Sequence, residues 1–454
     1  MSMFELELAA AGIGARRHGG KADVLRVSTD SRSLAAGDLF VALRGGNFDG
    51  HAYVAQAFDR GAVAAMVAEG ELAKHPEWAG KPLLEVDDTR LGLGRLAAWW
   101  RKEMGIPLVA VTGSNGKTTV KEMIAAILRQ QAGMEAVLAT QGNLNNDIGV
   151  PLTLLSLRRE HRYGVIEMGM NHPGEIAYLT SLAKPDAAVV NNAQAAHLAG
   201  LGSVEAVARA KGEIFQGLAQ DGIAVINADD PYADLWRELA GRRRTISFGI
   251  DRPADVGAEY RLDVLASALE IHTPEGNASA TLCVPGVHNV RNALAATAAA
   301  LALGVKPEVI GKGLTAFAGV KGRLQNKAGL HGATLIDDTY NANPGSVTAA
   351  IKVLAATAGR KVLVLGDMGE LGDEAAELHA GIGAAAREAG VDRLLALGEN
   401  SVHAARAFGA GGQHFEYIED LLAEAENELA PGVTLLVKGS RFMQMERVIK
   451  GLEA

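Results

Sequence analysis

Eight consecutive residues have the types and spacing of a phosphate-binding loop. They are Thr112, Gly113, Ser114, Asn115, Gly116, Lys117, Thr118 and Thr119. The two glycines let backbone N–H groups approach an anion closely, the lysine can reach β and γ phosphates, and the threonine after it offers a hydroxyl to Mg²⁺. The loop therefore predicts that the chain uses ATP or GTP.

The residues on either side support this interpretation. Residues 107–111 are typical of a strand and residues 120–128 have a helical pattern, so the loop would lie at a helix N-terminus, whose partial positive charge attracts anions. The spacing departs from the general motif, because only two residues separate Gly113 from Gly116. An ordinary glycine turn before a helix is the alternative, but it does not account for the adjacent lysine and threonine.

The elements that would position this loop belong to an α/β fold. After residue 85, short apolar runs alternate with polar or glycine-rich loops and with helices, which predicts parallel strands. The strand-like runs are residues 108–111, 165–167, 187–190 and 223–226, and then 334–336, 362–365, 394–397 and 434–437. Open α/β sheets bind ligands beyond the carboxyl ends of their strands, so the loops after the first four runs should converge on one crevice.

The length of the chain predicts about three domains, since 454 residues exceed what one hydrophobic core usually serves. We expect them at residues 1–85, 86–318 and 319–454, because the pattern becomes regular near residue 85 and a glycine-rich passage covers residues 319–323. A net charge of −9 without a concentrated basic face argues against a nucleic-acid partner.

Neither the N-terminus nor the longest apolar segment indicates a membrane protein. The N-terminus carries Glu5 and Glu7 and has no basic segment followed by a long apolar one, so a signal peptide is not expected. The apolar residues 293–305 are too few to cross a bilayer of about 30 Å, and we predict a buried helix. We therefore expect a cytoplasmic protein without membrane insertion. Its single cysteine, Cys283, cannot form an internal disulfide and is predicted to be buried.

Two side chains in the middle region are candidates for a metal site. Glu167 ends a buried strand, where a carboxylate is costly unless it meets a cation, so a Mg²⁺ ligand is favoured over a simple salt bridge. His197 follows another strand and could complete the site as a neutral imidazole. An ordinary loop histidine is an equally good interpretation of His197.

Lys211 falls on the apolar face of a predicted helix. That face is formed by Val204, Val207, Ala208, Phe215 and Leu218. A buried ammonium without a partner has its pKa lowered by desolvation, so this lysine must pair, reach the helix edge or be chemically altered. Reaching the edge of the helix with its long side chain remains open.

Together these segments resemble the Mur ligases of peptidoglycan synthesis, over nearly the whole chain. The resemblance is carried by residues 112–119, 142–151, 167–171, the helix around Lys211, and residues 286–292, 322–323 and 338–344. Asp-Thr-Tyr-Asn-Ala-Asn-Pro, Gly-Asp-Met-Gly-Glu-Leu-Gly and Gly-Asn-Leu-Asn-Asn-Asp-Ile-Gly-Val-Pro are similar to the blocks of those members that join D-alanyl-D-alanine to UDP-N-acetylmuramoyl-tripeptide.

The resemblance implies a small mixed α/β N-terminal domain for the UDP-sugar, a central ATPase domain with a mostly parallel sheet, and a Rossmann-like C-terminal domain that carries the incoming amine and closes over ATP. A shortened glycine spacing is what these ligases use. By position, the metal site would comprise Thr118, Glu167, His197 and Lys211, and this lysine matches one that is carbamylated in sister ligases. The resemblance further implies that Asn289 and Asn292 lie near the adenine and that Arg323 and Asp338 contact ATP from the C-terminal domain. Substrate contacts would come from Ser31, Arg32, Asn143, Asn146, Tyr340, Asn341 and Asn343.

The chemistry of this family would make the chain an ATP-dependent peptide ligase, and we expect a monomer. Other possibilities are a folylpolyglutamate synthetase, whose phosphate loop would lie nearer the N-terminus, and the ligase that adds the third residue, whose Asp-Asn-Pro-Arg-like motif is absent. A nucleotide-driven switch is an alternative of another class, and it predicts turnover controlled by a macromolecule. The acceptor's third residue, lysine or diaminopimelate, is left open.

Overall fold

The computed structural model describes residues 2–195, 198–263 and 266–454. Its first part is a mixed sheet in the order β2-β9-β8-β5-β4, in which only β2 runs antiparallel to its neighbour. The strands are β1 (Phe4–Glu5), β2 (Arg16–His18), β3 (Asp23–Val24), β4 (Arg26–Ser28), β5 (Asp38–Val41), β6 (Arg44–Gly45), β7 (Phe48–Asp49), β8 (Ala64–Ala68) and β9 (Leu83–Val86). The helices are α1 (Leu6–Ile13), α2 (Val54–Asp59) and α3 (Glu71–Lys74).

Helix α4 (Thr89–Met104) joins this part to the next and packs against both. It begins where Asp88 accepts hydrogen bonds from the backbone N–H groups of Arg90 and Leu91, and it ends at Gly105, whose φ of 58° suits a glycine. Its buried face, which includes Leu96 and Trp100, belongs to a hydrophobic core shared by the first and second parts. The two parts are therefore held together by apolar burial.

The second part is a parallel six-stranded sheet in the order β11-β12-β10-β13-β14-β15, beside a three-stranded antiparallel sheet, β16-β17-β18. Its strands are β10 (Leu108–Thr112), β11 (Val137–Ala139), β12 (Tyr163–Glu167), β13 (Ala187–Val190), β14 (Ile223–Asn227), β15 (Thr245–Phe248), β16 (Gly257–Leu262), β17 (Ser267–Thr273) and β18 (Gly276–Leu282). Its helices are α5 (Lys117–Ala132), α6 (Gly149–Leu154), α7 (Glu175–Ala183), α8 (Leu198–Leu201), α9 (Val204–Gly212), α10 (Ala233–Ala240), α11 (Val287–Ala302) and α12 (Pro307–Thr315).

The third part is a six-stranded sheet in the order β19-β20-β24-β21-β22-β23, parallel except for β19. Its strands are β19 (Gln325–Ala328), β20 (Thr334–Asp338), β21 (Arg360–Gly366), β22 (Arg393–Leu397), β23 (Gly412–Phe415) and β24 (Val433–Lys438). Its helices are α13 (Pro344–Ala355), α14 (Ala375–Glu388), α15 (Ser401–Phe408), α16 (Ile418–Asn427) and α17 (Glu446–Leu452).

The predicted α/β class with parallel strands is confirmed. Central strands such as β10 and β13 are buried along their whole length, because helices cover both faces of a parallel sheet. The predicted buried helix at residues 293–305 is also confirmed as part of α11, although it ends at Ala302. No helix in the described ranges is long and apolar enough to cross a membrane. We retain the domain boundaries at 85 and 318 as proposals; the first falls inside β9.

Two local predictions were wrong. Cys283 is exposed, because residues alternate between buried and exposed along β18 and Cys283 continues the outward phase after buried Leu282. The helix that carries Lys211 is shorter than its apolar pattern indicated. It ends at Gly212 and continues as a 3₁₀ turn over Glu213–Gly217, so Phe215 and Leu218 are buried without belonging to the α-helix.

Candidate active site

The carboxyl ends of two sheets line one large cavity. Its volume is 1070 Å³, and its walls include the loops after β10, β12, β13 and β14 as well as the loops after β20, β21 and β24. The predicted convergence of the middle loops is confirmed, and the third part adds an opposing wall. The loop after β22 does not line this cavity; its Asn400 and Ser401 N–H groups instead donate to the Asp367 carboxylate.

The phosphate loop lies against the start of α5. Gly116 caps that helix with a φ of 79°, and a Cβ there would lie 2.4 Å from Asn292 Oδ1, so only glycine fits. Lys117 is half-buried and its Nζ donates to Gly113 O at 2.7 Å and Ser114 O at 3.3 Å. Burial lowers the pKa of Lys117, and the nearby Glu167 carboxylate opposes that shift. The ammonium is thus held over its own loop and faces the cavity.

Two asparagines after β13 form hydrogen bonds with the phosphate loop. The Asn115 N–H donates to Asn192 Oδ1 at 2.8 Å, and Asn191 Nδ2 donates both to Asn115 O at 2.9 Å and to Asn292 Oδ1 at 3.0 Å. Asn292 Nδ2 in turn donates to Asn289 Oδ1 at 3.1 Å. Asn289 and Asn292, expected near an adenine, are therefore buried members of a hydrogen-bonded chain beneath the phosphate loop. Sequence reasoning missed Asn191 and Asn192.

Three other residues of the phosphate loop differ in their contacts and burial. Ser114 Oγ accepts from the Gln194 N–H at 2.9 Å, which fixes the loop against the segment after β13. Thr119 is buried in the first turn of α5, whereas Thr118 is half-buried and lines the cavity. The loop is thus held in place by hydrogen bonds and packing within the protein.

Glu167 has one carboxylate oxygen available. The side chain is 2% exposed; its Oε1 accepts from Asn145 Nδ2 at 2.8 Å, while Oε2 is buried and has no hydrogen-bond partner among the residues that the structure describes. An orphaned buried carboxylate oxygen facing a cavity is costly unless a cation completes it, so the residue fits the predicted metal-ligand role. Sequence reasoning missed Asn145 and favoured its neighbours. Asn143 lies exposed in the wall, and Asn146 Oδ1 accepts from the Gly149 N–H at the start of α6.

Lys211 is buried, as its helical position predicted. It is 1% exposed and has no hydrogen bond or ion pair within the described parts of the chain. Burial, reinforced by the positive charge of Lys117, lowers its pKa well below the usual value. His197, the other predicted metal ligand, lies outside the described residues. Within those residues no three His, Cys, Asp or Glu side chains form a ready cluster for a metal ion.

The third part reaches the phosphate loop through Arg323. Its Nη2 donates to Thr118 Oγ1 at 2.9 Å, and its guanidinium stacks 4.4 Å from the centre of the Tyr340 ring. The cation therefore lies beside the predicted phosphate site, although Arg323 belongs to the third part of the chain and Thr118 to the second.

Asp338 is held inside the third part. Its Oδ2 accepts from Lys438 Nζ at 2.6 Å and its Oδ1 from the Leu324 N–H at 3.2 Å, while Lys438 also donates to Asn341 O at 2.8 Å. Burial raises the pKa of Asp338, and Lys438 opposes that shift. Asp338 thereby fixes the segment next to Arg323. Lys438 was missed because its partner lies 100 residues away in the sequence.

Ser31 and Arg32 are not brought to this cavity. They lie in a 3₁₀ turn, Ser31–Ser33, of the first part, and Arg32 forms an exposed ion pair with Asp30. Tyr340, Asn341 and Asn343 do line the cavity. The predicted substrate contacts therefore divide into one group at the cavity and another on the N-terminal part.

The chain matches known proteins over nearly its whole length. Family models described as "Mur ligase family, catalytic domain", "Mur ligase middle domain" and "Mur ligase, glutamate ligase domain" match residues 24–101, 111–300 and 322–441, respectively. A UDP-N-acetylmuramoyl-tripeptide–D-alanyl-D-alanine ligase from Escherichia coli (strain K12) is 45% identical over 431 residues, 94% of this chain and 93% of that protein. The chain belongs to the Mur ligase family. The expected three domains of a Mur ligase are thereby confirmed.

Solved structures of Mur ligases share the fold. MurF from Acinetobacter baumannii matches with a TM-score of 0.90 and 38% identity, covering 98% of this chain and 97% of that one. The MurF ligase of Thermotoga maritima, solved in complex with ADP, matches with a TM-score of 0.81 and 27% identity, covering 94% and 96%. As a Mur ligase, the chain is an ATP-dependent enzyme that forms amide bonds.

Proposed function

We propose that this Mur ligase joins D-alanyl-D-alanine to UDP-N-acetylmuramoyl-tripeptide with conversion of ATP to ADP and phosphate, forming the pentapeptide precursor of peptidoglycan. One structural observation carries the proposal: the phosphate loop after β10 and the loops of the C-terminal sheet face the same cavity. ATP can thus be held by one sheet while a second substrate approaches from the other. The matched relatives, which bear the name of this reaction, support the choice of substrates.

The reaction needs activation because a carboxylate is a poor electrophile. An oxygen of the tripeptide's terminal carboxylate forms a bond to the γ-phosphorus, and the bond from that phosphorus to ADP breaks. The dipeptide's amine nitrogen then bonds to the acyl carbon, and the carbon–oxygen bond to phosphate breaks. Lys117 and Arg323 neutralise charge on the transferring group and hold it in place. Walls from two sheets exclude water, which protects the acyl phosphate.

The residues present fit a Mg²⁺ ion beside the phosphates. Glu167, with its unsatisfied Oε2, and the Thr118 hydroxyl would hold it, and His197 is proposed as a further ligand. When bound, the ion would neutralise phosphate charge and act as a Lewis acid. Asn289 and Asn292 remain the proposed residues near the adenine.

Lys211 is proposed to be carbamylated in the working enzyme. Its buried amine has no partner among the described residues and its lowered pKa favours the neutral form, which is the form that reacts with CO₂. In that reaction the nitrogen bonds to carbon and releases one proton, and the product is an anionic carbamate. A carbamate would replace an unpaired buried amine with an oxygen ligand for a metal.

The remaining contacts follow the division of the chain. We propose that Ser31 and Arg32 contribute to UDP binding in the N-terminal domain, and that Asn143, Asn146, Tyr340, Asn341 and Asn343 contact the substrates around the cavity. ATP and UDP-linked precursors are cytoplasmic metabolites, so we place the enzyme in the cytoplasm. We expect it to act as a monomer.

The alternatives have less support. A folylpolyglutamate synthetase does not account for the Mur ligase segment at residues 24–101, which precedes the phosphate loop. A nucleotide-driven switch leaves the polar strand-end loops of the third domain without a role. The switch also predicts that a macromolecule, rather than two small substrates, controls ATP turnover.

Phosphate release from ATP tests the proposal. With UDP-N-acetylmuramoyl-tripeptide and D-alanyl-D-alanine both present, we expect phosphate and ligated product in equal amounts. Omitting either one in turn should reduce release to background. Equal turnover with one substrate missing would contradict the ligase reaction. Turnover with folate and glutamate, or with the UDP-linked dipeptide and lysine, in place of both substrates would support another member of the family.

A further inference from the structure

A glutamate in the cavity wall adopts a backbone conformation that non-glycine residues rarely take. Glu370 has a φ of 62°, is exposed, and lines the cavity in the loop after β21. Left-handed backbone at a non-glycine residue is unfavourable, and such residues concentrate where a side chain must be aimed for function. The loop around Glu370 must therefore be held by other contacts.

Those contacts join the loop to the segment after β24. The Gly369 N–H donates to Ser440 Oγ at 2.8 Å, and the Ser440 N–H donates to Asp367 O at 3.0 Å. A Cβ at Gly369 would lie 2.9 Å from Cε1 of Phe442, so these two loops are in close contact. Glu370 and Arg441 consequently sit on neighbouring loops of the same wall.

Arg441 lines the cavity, and its ion pair at the surface could be exchanged for one with a ligand. Among the lining residues that the structure describes, Lys438 pairs with buried Asp338, Arg323 bonds to Thr118, and Arg291 bonds to two aspartates. Arg441 pairs with Glu446 at 2.9 Å in an exposed ion pair, and such pairs contribute little and exchange readily. Its guanidinium can bind a carboxylate with two parallel hydrogen bonds.

We infer that Glu370 and Arg441 form the binding site for the incoming dipeptide, with Arg441 on its terminal carboxylate and Glu370 at its ammonium group. The inference rests on the proposed function. An extended dipeptide is about 7 Å long, so its two charged ends suit an acid and a base on adjacent loops. The wall belongs to the third domain, opposite the phosphate loop.

The position of Glu370 matches the place where the amine must react. Glu370 and Lys117 line the same cavity, and Lys117 is the lysine that would meet the γ-phosphate. The acyl phosphate forms at that phosphate. An amine held by Glu370 would thus lie in the same cavity as the acyl carbon.

The proton balance gives Glu370 a defined task. The ammonium first transfers one proton to the Glu370 carboxylate, which frees the nitrogen lone pair. Nitrogen then bonds to the acyl carbon, the carbon–oxygen bond breaks, and phosphate leaves with that electron pair. The second nitrogen proton goes to the departing phosphate, and Glu370 returns its proton to water.

Trapping with hydroxylamine separates proton removal by Glu370 from formation of the acyl phosphate. It is largely unprotonated at neutral pH and needs no base, so with ATP and the UDP-tripeptide it should trap the acyl phosphate as a hydroxamate. We expect Glu370→Gln to reduce ligation of D-alanyl-D-alanine at least 100-fold while hydroxamate forms within threefold of the unmodified enzyme. Glu374→Gln, an exposed change in the same loop, should affect neither reaction.

A dipeptide with a C-terminal amide tests Arg441. The unmodified enzyme should use D-alanyl-D-alanine about 10- to 100-fold better than D-alanyl-D-alaninamide, judged by kcat/KM. Arg441→Ala should remove that preference through a higher KM for the acid, whereas Lys450→Ala, on the exposed face of α17, should keep it. If Arg441 had only a structural role, Arg441→Ala would lower kcat/KM equally for both substrates.

The outcomes are distinguishable. Absence of hydroxamate with the unmodified enzyme would contradict the proposed function itself. Hydroxamate with the unmodified enzyme, but an equal loss of hydroxamate and dipeptide ligation in Glu370→Gln, would overturn the role of Glu370. An undiminished preference for the acid in Arg441→Ala would overturn the role of Arg441.

Discussion

The side-chain amides of Asn115 and Asn343 bond to each other across two domains. Asn343 Nδ2 donates to Asn115 Oδ1 at 2.8 Å, and Asn115 Nδ2 donates to Asn343 Oδ1 at 3.3 Å. Asn115 belongs to the phosphate loop, whereas Asn343 caps α13 by accepting from the Ser346 N–H. One asparagine therefore begins a helix of the third domain and also contacts the loop that would bind ATP.

Substituting Asn343 should separate these two roles. Asn343→Ser retains a capping oxygen but is too short to reach Asn115, so we expect unchanged stability and about a tenfold higher KM for ATP. Asn343→Ala should lose about 1 kcal/mol of unfolding free energy in addition. Steady-state kinetics and thermal unfolding measure the two effects. An unchanged KM in both variants would mean that the amide pair does not influence nucleotide binding.

Lys117 should be essential for phosphate transfer and dispensable for folding. Lys117→Ala removes the cation over the loop, and we expect kcat to fall by about 10³-fold or more because charge on the transferring phosphate is no longer neutralised. Lys102→Ala, an exposed change near the end of α4, is the matched control. If Lys117→Ala were folded and active, the loop would have only a structural role.

Substitutions of Arg323 and Asp338 should impair ATP use, although both residues lie far in sequence from the phosphate loop. Arg323→Ala removes the bond to Thr118, and Asp338→Ala leaves Lys438 without its carboxylate, so we expect a loss of at least tenfold in kcat/KM for ATP. Arg360→Ala, an exposed change at the start of β21, should have no effect. A chain ending at residue 318 should make no product; full activity would show that domain closure is unnecessary.

Lys211 should reduce stability when its amine is unmodified. In bicarbonate-free buffer, Lys211→Met replaces a buried, unpaired amine by an apolar chain of similar length, and we expect a gain of about 1–3 kcal/mol in unfolding free energy at pH 7. The lowered pKa means that the folded state binds fewer protons than the unfolded state, so the unmodified protein gains stability as pH rises toward the ordinary lysine pKa of about 10.4. The advantage of Lys211→Met should therefore shrink with rising pH.

The same variant should be inactive, because no carbamate can form on methionine. With bicarbonate labelled in carbon, the unmodified enzyme should show a carbamate signal in its NMR spectrum and Lys211→Met should not. An active, nucleotide-bound enzyme with an unmodified Lys211 in the presence of bicarbonate would exclude the carbamate.

The parts of the site that sequence reasoning found are those with local patterns. The phosphate loop, Glu167 and the polar loops of the two sheets each follow an apolar strand, so their position at a carboxyl edge could be predicted from neighbouring residues. Lys211 could be predicted as buried because helical spacing alone places it on the apolar face of α9.

What was missed depends on contacts between distant segments. Asn145 binds Glu167 and Lys438 binds Asp338, and nothing in the local sequence of either residue indicates its partner. Asn146, expected at the substrate, lines the cavity, and its Oδ1 also accepts a hydrogen bond from the N–H group that begins α6, which the sequence did not indicate. Cys283 was misjudged because its burial depends on the alternation of β18, which sets it outward.

The opposed carboxyl edges of the two sheets give this enzyme a modular chemistry. In the proposed reaction the loops of one sheet would activate the carboxylate with the nucleotide, and the loops of the other would select the amine, so each half would present its own set of side chains. Substitutions in the loops that would bind the amine could alter which nucleophile is accepted without changing the residues that would activate the carboxylate. A single scaffold can in this way diversify into ligases that lengthen a peptide by successive, different residues.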